Sequence, residues 1–147
     1  MALHLEIVTP KGSVLAAEAD EVVLPGKIGE FAVLEGHIPL LSALKPGVVR
    51  ISVEQKRTQL AIGSGFAEVG AGDRVLVTTS RHAFPDDIDV DEVRHELSEA
   101  EDAIKLWTGE VHELDPETDQ WQETADYQAL RRKVEWARAR LNALGTF

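Results

Sequence analysis

Residues 1–84 read as short β-type runs, some with a clear period of two, and the pattern changes to a period near 3.6 after Pro85. Val49, Ile51 and Val53 fall on one side of a run whose other side is Arg50, Ser52 and Glu54, the mark of a strand with one wet face. Similar runs cover residues 3–8, 14–24, 30–34, 40–44, 58–62, 66–69 and 75–79. Turn residues separate them: Thr9-Pro10-Lys11-Gly12, Pro25-Gly26, Gly36-His37-Ile38-Pro39, Pro46-Gly47, the polar tip Glu54-Gln55-Lys56-Arg57, Gly63-Ser64-Gly65, and Gly70-Ala71-Gly72-Asp73. The stretch from Val23 to Ile51 holds much of this Gly and Pro, so it fixes the backbone direction repeatedly. Roughly eight short strands with turns every ~10 residues predict an antiparallel sandwich or barrel over residues 1–85. No helical period interrupts them, which argues against a parallel sheet and its helical crossovers.

After Pro85 the pattern becomes helical. Asp89 can cap a helix, with Glu92 three residues on as its capping-box partner. Val90, Val93, Leu97, Ala100, Ile104 and Trp107 then recur at steps of three and four, a stripe about 27 Å long at 1.5 Å per residue. Asp115-Pro116 offers a second start, with Asp as cap and Pro at the first position. The firm part of the second helix is Tyr127, Leu130, Val134, Ala137, Leu141 and Leu144, stopped by Gly145. Two such stripes on consecutive helices predict an antiparallel αα-hairpin over residues 86–147. Several stripe positions are alanine, while ordering a residue costs about 1–2 kcal/mol in backbone entropy. The hairpin is therefore expected to be marginal alone and to lean on the β domain or on a partner.

Charge adds a second division. The chain carries a net −11 over 147 residues, against the basic footprint that nucleic acid requires. Residues 88–126 have two basic and fourteen acidic side chains, and residues 127–147 five basic and one acidic. There is no cysteine, so disulfides, thiolate metal sites and a cysteine nucleophile are excluded. The N-terminus lacks the pattern of a secretory signal, and no apolar run is long enough for a membrane span, so direct membrane insertion is not expected.

Catalytic signatures are missing. No Gly-Lys-Ser/Thr occurs, and Gly63-Ser64-Gly65 reads as a turn between strands. Ser64 lacks the five-residue elbow of an esterase. The five histidines show no metal-type pairing, and His82 has no recognisable triad. His37, in the Gly-His-Ile-Pro turn, and Glu30, at the start of a strand, read as local structural residues. The basic set Arg131, Arg132, Lys133, Arg138 and Arg140 flanks the seam of the second helix. It suits pairing with Glu92, Glu96, Glu99 and Asp102 of the first helix, or docking to an acidic partner.

One segment carries a resemblance. Leu24-Pro25-Gly26, Gly29-Glu30-Phe31, Val33-Leu34, Gly36-His37, Pro39-Leu40-Leu41 and the run Ala43-Leu44-Lys45-Pro46-Gly47-Val48-Val49-Arg50-Ile51 resemble the fingerprint of the F-type ATP synthase epsilon subunit, bacterial type. Gly63-Ser64-Gly65-Phe66-Ala67-Glu68-Val69, Leu5-Glu6-Ile7-Val8-Thr9-Pro10 and Val75-Leu76-Val77 are also similar to it. The resemblance covers residues 3–84 closely and the helical hairpin in architecture.

The resemblance implies a β + α fold, an antiparallel sandwich of about ten strands followed by the αα-hairpin. It implies a non-catalytic rotor subunit in the central stalk of a proton-translocating synthase, peripheral at the cytoplasmic face of the inner membrane. The implied partners are the gamma subunit and the c-ring for the β domain of 1–85, and the beta and alpha subunits for a regulatory hairpin of 86–147 that inhibits ATP hydrolysis when extended. Glu30 and His37 would mark loops facing the c-ring. Arg131, Arg132, Arg138 and Arg140 would meet an acidic segment of beta.

The departures lie mainly in the hairpin. Ala32 and Glu35 replace the usual Gly and Pro. Some members bind ATP through Ile/Leu-Asp-x-x-Arg-Ala; here Ile88-Asp89 fits, but Glu92 and Val93 stand where Arg and Ala belong. Starting instead at Val90-Asp91 recovers Arg94 and then meets His95. No cofactor is expected, and ATP as a regulatory ligand rests only on Asp89, Asp91 and Arg94. The connection between the helices looks longer than usual and holds Trp107, Trp121 and many acids. The competing reading is a stand-alone β-sandwich binding module with a dimerising hairpin.

Overall fold

The structure, a computed structural model, describes residues 2–145. Met1, Thr146 and Phe147, the outermost residues of the two expected domains, lie outside the described residues. The strands of the first part are β1 Leu3–Thr9, β2 Gly12–Ala19, β3 Glu21–Pro25, β4 Glu30–Leu34, β5 Leu40–Leu44, β6 Gly47–Val53, β7 Lys56–Ile62, β8 Gly65–Gly70, β9 Arg74–Thr79 and β10 His82–Ala83. They form two five-stranded sheets, in the orders β2-β1-β9-β8-β5 and β10-β7-β6-β3-β4. This is the expected sandwich of about ten strands. Every pairing in it is antiparallel except β1 with β9, which runs parallel.

Alternation explains the core. β1 buries Leu3, Leu5 and Ile7, and β9 buries Val75 and Val77. Val22, Leu24, Val49, Leu60 and Ile62 answer from the other sheet. Burial of this kind, roughly 1.5–3 kcal/mol for each Leu, Ile or Val, drives the two sheets together. Gly65 begins β8 where a Cβ would lie 1.8 Å from the carbonyl of Thr78; only glycine lets β8 and β9 approach this closely.

A 3-10 turn, Pro85–Asp87, leads to α1 Val90–Lys105. Asp89 caps α1 as expected, its Oδ1 accepting from the Glu92 amide at 3.2 Å. The second helix, α2, is Ala125–Ala143. It packs antiparallel on α1 through Val93 and Ala100 on one side and Val134 and Ala137 on the other. Among the described residues no helix is long and apolar enough to cross a membrane.

The expected helix start at Asp115-Pro116 is a correction. The chain instead forms a two-stranded ribbon, β11 His112–Leu114 with β12 Trp121–Glu123. Asp115 Oδ1 accepts from the amides of Glu117 at 2.8 Å and Thr118 at 3.2 Å. A capping aspartate makes the same bonds at a helix N-terminus. Here Asp119 follows at φ +57°, and its left-handed conformation turns the chain back into β12.

Candidate functional site

The site is the seam where the hairpin meets the sandwich. β7 has both faces buried: Leu60 and Ile62 point into the core, and Gln59 and Ala61 lie on the opposite face under α2. Val48, paired with Ala61 across β6 and β7, lies on that face too. Trp136, Ala139 and Ala143 of α2 pack on Val48 and Ala61, with Ala83 and Ile88 beside them. Alanine on both sides lets the helix lie close to the sheet. The contact is shallow, because each alanine removes little apolar area.

Polar contacts tie the seam at its ends. Gln59 Nε2 donates to the carbonyls of Ala143, at 2.7 Å, and Gly145, satisfying carbonyls that the last turn of a helix leaves free. At the other side, two guanidinium groups approach the Trp136 ring. Arg81 Cζ stands 4.7 Å and Arg140 Cζ 5.2 Å from its ring centroid, within cation–π range. Burial lowers the Arg81 pKa first, the nearby Arg140 charge second, and Glu96 works the other way. Arginine remains charged throughout the physiological range.

Arg140 also pairs with Glu96 of α1, and Arg138 with Glu101 at 3.5 Å. Arg131 pairs with Glu123 and, at 3.3 Å, with Glu135. Its pKa is raised chiefly by the hydrogen bond to Glu123. Arg132 is exposed and has no charged partner among the described residues. Intramolecular pairing therefore uses three of the four arginines. A cleft of about 390 Å³ opens beside Trp136, lined by Ala100, Ala103, Leu130 and Lys133. A groove of about 620 Å³ gathers Lys27, Lys45, Arg131 and Arg132 where α2 leaves the sandwich.

The other expected residues are placed as follows. Glu30 pairs with Arg50 at 2.9 Å. His37 Nδ1 lies 2.7 Å from the Ile38 carbonyl; a carbonyl only accepts, so Nδ1 carries the proton in this contact. The loop is pinned by Gly36, at φ +81°, whose amide donates to Asp73 at 2.7 Å. Glu30 opens β4 and His37 follows its far end, about 13 Å of strand apart at 3.3 Å per residue. They occupy opposite ends of β4. Asp89, Asp91 and Arg94 are all exposed. The Asp89 carboxylate serves as the α1 cap, and no hydrogen bond or ion pair joins the three among the described residues.

α2 carries a second stripe beside the one its helical spacing predicts. Trp136, Ala139 and Ala143 repeat at steps of three and four, beside the seam positions. The signal was present but weak, because two of the three are alanine and Arg140 interrupts it. The outer face of the β2-β1-β9-β8-β5 sheet exposes Leu41, Phe66 and Leu76, with Ile38 beside it; Glu68 lies in register between Leu41 and Leu76, and Phe66 also lines the groove with Arg131 and Arg132.

A family model described as ATP synthase, Delta/Epsilon chain, beta-sandwich domain, matches residues 2–84. The ATP synthase epsilon chain of Magnetococcus marinus is 35% identical over 144 residues, 98% of this chain and 95% of that one. The ATP synthase epsilon chain of Synechococcus elongatus is 38% identical over 145 residues, 99% of this chain and 96% of that one. A chain in the cryo-EM structure of the Euglena gracilis mitochondrial ATP synthase, OSCP/F1/c-ring in rotational state 1, superposes with a TM-score of 0.77 at 21% identity. It covers 98% of this chain and 82% of that one, a likeness of fold.

Proposed function

The chain belongs to the ATP synthase epsilon chain family, and on that premise we propose that it is a non-catalytic rotor subunit whose hairpin switches between a folded and an inhibitory extended state. The sandwich transmits torque, joining the gamma subunit to the c-ring of a proton-translocating enzyme. The subunit sits peripherally at the cytoplasmic face of the inner membrane.

The gamma-facing surface is the apolar face of Leu41, Phe66 and Leu76, together with the pinned His37 loop and Ile38. The ring-facing surface is the loop before Glu30, where Ile28 stands fully exposed. An exposed isoleucine on a tight loop suits insertion between neighbouring subunits better than contact with water.

The observation that carries the switch is the make-up of the seam. The hairpin touches the sandwich through one helix, largely through small side chains, and its polar ties are few. The ion pairs of Arg131, Arg138 and Arg140 lie within the hairpin and do not hold it to the sandwich. Such a contact is stable enough to form and weak enough to break. Once α2 leaves the sandwich, Arg138 and Arg140 can exchange Glu101 and Glu96 for the acidic segment of beta, and Arg131 and Arg132 join them. Alpha lies beside that contact. Nucleotide sensing through Asp89, Asp91 and Arg94 is not part of this reading, because Asp89 is committed to capping.

Removing residues 88–147 from the assembled enzyme tests the proposal. Hydrolysis should rise while assembly persists. Unchanged hydrolysis would leave only the coupling role, and failure to co-purify with gamma would remove the rotor role as well.

A further inference from the structure

Antiparallel helices need only a short turn, commonly two to eight residues or about that, yet residues 106–124 separate α1 from α2. This connection buries nothing in either core: no residue from 106 to 124 is fully buried. It is nevertheless firmly built. Thr124 donates from its amide to Val111 and from its hydroxyl to Glu110, both at 2.8 Å. Trp107 Nε1 donates to Glu110 at 3.3 Å, and its ring meets Tyr127 at 5.9 Å. Asp115 closes the tip, and its amide donates to Gln120 at 2.8 Å. A two-stranded ribbon alone is marginal in water. These ties hold this one in a fixed shape.

What the ribbon presents is specific. Leu114 and Trp121 are directly opposite in register, and they are 48% and 73% exposed. Leu106, at the base, is exposed too. From residue 106 to residue 130 there is no lysine or arginine, while Glu110, Glu113, Asp115, Glu117 and Asp119 make the segment acidic; Glu123, on the same face as the apolar pair, is already paired with Arg131. A rigid apolar contact carried on a strongly acidic segment selects for a basic partner. The same charge repels anionic lipid and nucleic acid. The partner must supply cations beside an apolar contact, and an indole face is a good seat for a guanidinium.

We propose that the β11–β12 ribbon is a docking arm for an arginine-bearing, basic protein surface, with Trp121 and Leu114 as its apolar contact. The arm stands at the tip of the hairpin, so it leads when the hairpin leaves the sandwich. That placement rests on the function proposed above; the binding chemistry does not.

Two measurements keep the two ideas apart. The isolated full chain is titrated with a synthetic peptide alternating arginine and leucine. Binding should weaken at least about tenfold in a Leu114→Ala, Trp121→Ala double variant, which keeps every charge. Equal affinity in that variant would reduce the arm to bare electrostatic attraction and overturn the proposal, as would equal binding of a peptide with glutamate in place of arginine. In the assembled enzyme, Trp121 is replaced by a photo-crosslinking benzoylphenylalanine. The expected adduct lies on a neighbouring subunit within a few residues of arginine or lysine, with a yield that falls severalfold as salt is raised. No adduct, an adduct to a second copy of this chain, or an adduct to a segment without basic residues would overturn it. Loss of the chain from the enzyme would count against the rotor reading instead, leaving the peptide titration to decide on the arm.

Discussion

Gln59 and Ala143 lie 84 residues apart in the chain, and the Gln59 side chain donates to the Ala143 carbonyl at 2.7 Å. One glutamine on β7 thus caps the last turn of α2 and fastens the hairpin to the sandwich. Replacing Gln59 with leucine should leave the sandwich folded and loosen the helix. Net loss of a buried hydrogen bond is worth about 0.5–1.5 kcal/mol. Hydrogen exchange of the isolated subunit should show faster exchange across residues 125–143 and unchanged protection of β1 and β9.

Ala139 is buried against Val48 and Ala61. Ala139→Leu should therefore force α2 off the sheet, at the ~1–3 kcal/mol typical of overpacking. Because the extended hairpin is the inhibitory form in this account, the assembled enzyme should hydrolyse ATP more slowly than the parent. Steady-state hydrolysis of parent and variant enzymes, matched for epsilon content, checks the direction.

Those two positions also mark how far the sequence could be read. The strands were legible because Val49, Ile51 and Val53 alternate cleanly and Pro and Gly punctuate the runs. The α1–α2 seam was legible because Val93, Ala100, Val134 and Ala137 keep helical spacing. The docking face was not, since Ala139 and Ala143 carry almost no hydropathy and matter through closeness rather than size. Nor was the ribbon, since Asp115 makes the same amide bonds in a turn as at a helix start. Strand order is a long-range property, so the parallel pairing of β1 with β9 left no mark in either segment. At the candidate site, the arginines were found from spacing. Their division into paired Arg131, Arg138 and Arg140 and, among the described residues, unpaired Arg132 depends on where the ribbon and α1 lie in space.

That division makes Arg132 a clean probe. Among the described residues it has no charged partner, so Arg132→Ala should leave the thermal stability of the isolated subunit unchanged. If Arg132 meets an acidic segment in the extended form, the same variant should relieve inhibition of hydrolysis by up to about fivefold, which is what ~1 kcal/mol amounts to. The quadruple variant with Arg131, Arg132, Arg138 and Arg140 all changed to alanine should relieve it further. Inhibition that persists at low salt in the quadruple variant would rule out docking through these residues.

The central claim is that the hairpin must leave the sandwich to inhibit. The chain has no cysteine, so a pair introduced at Ala61 and Ala139, which pack together in the seam, gives a single disulfide that locks the hairpin down. The decisive measurement is ATP hydrolysis by the assembled enzyme with that disulfide formed and then reduced. Fast, uninhibited hydrolysis is expected in the oxidised enzyme, and slower hydrolysis once reduction frees the hairpin. Equal rates in the two states, or inhibition that survives the lock, would contradict that claim.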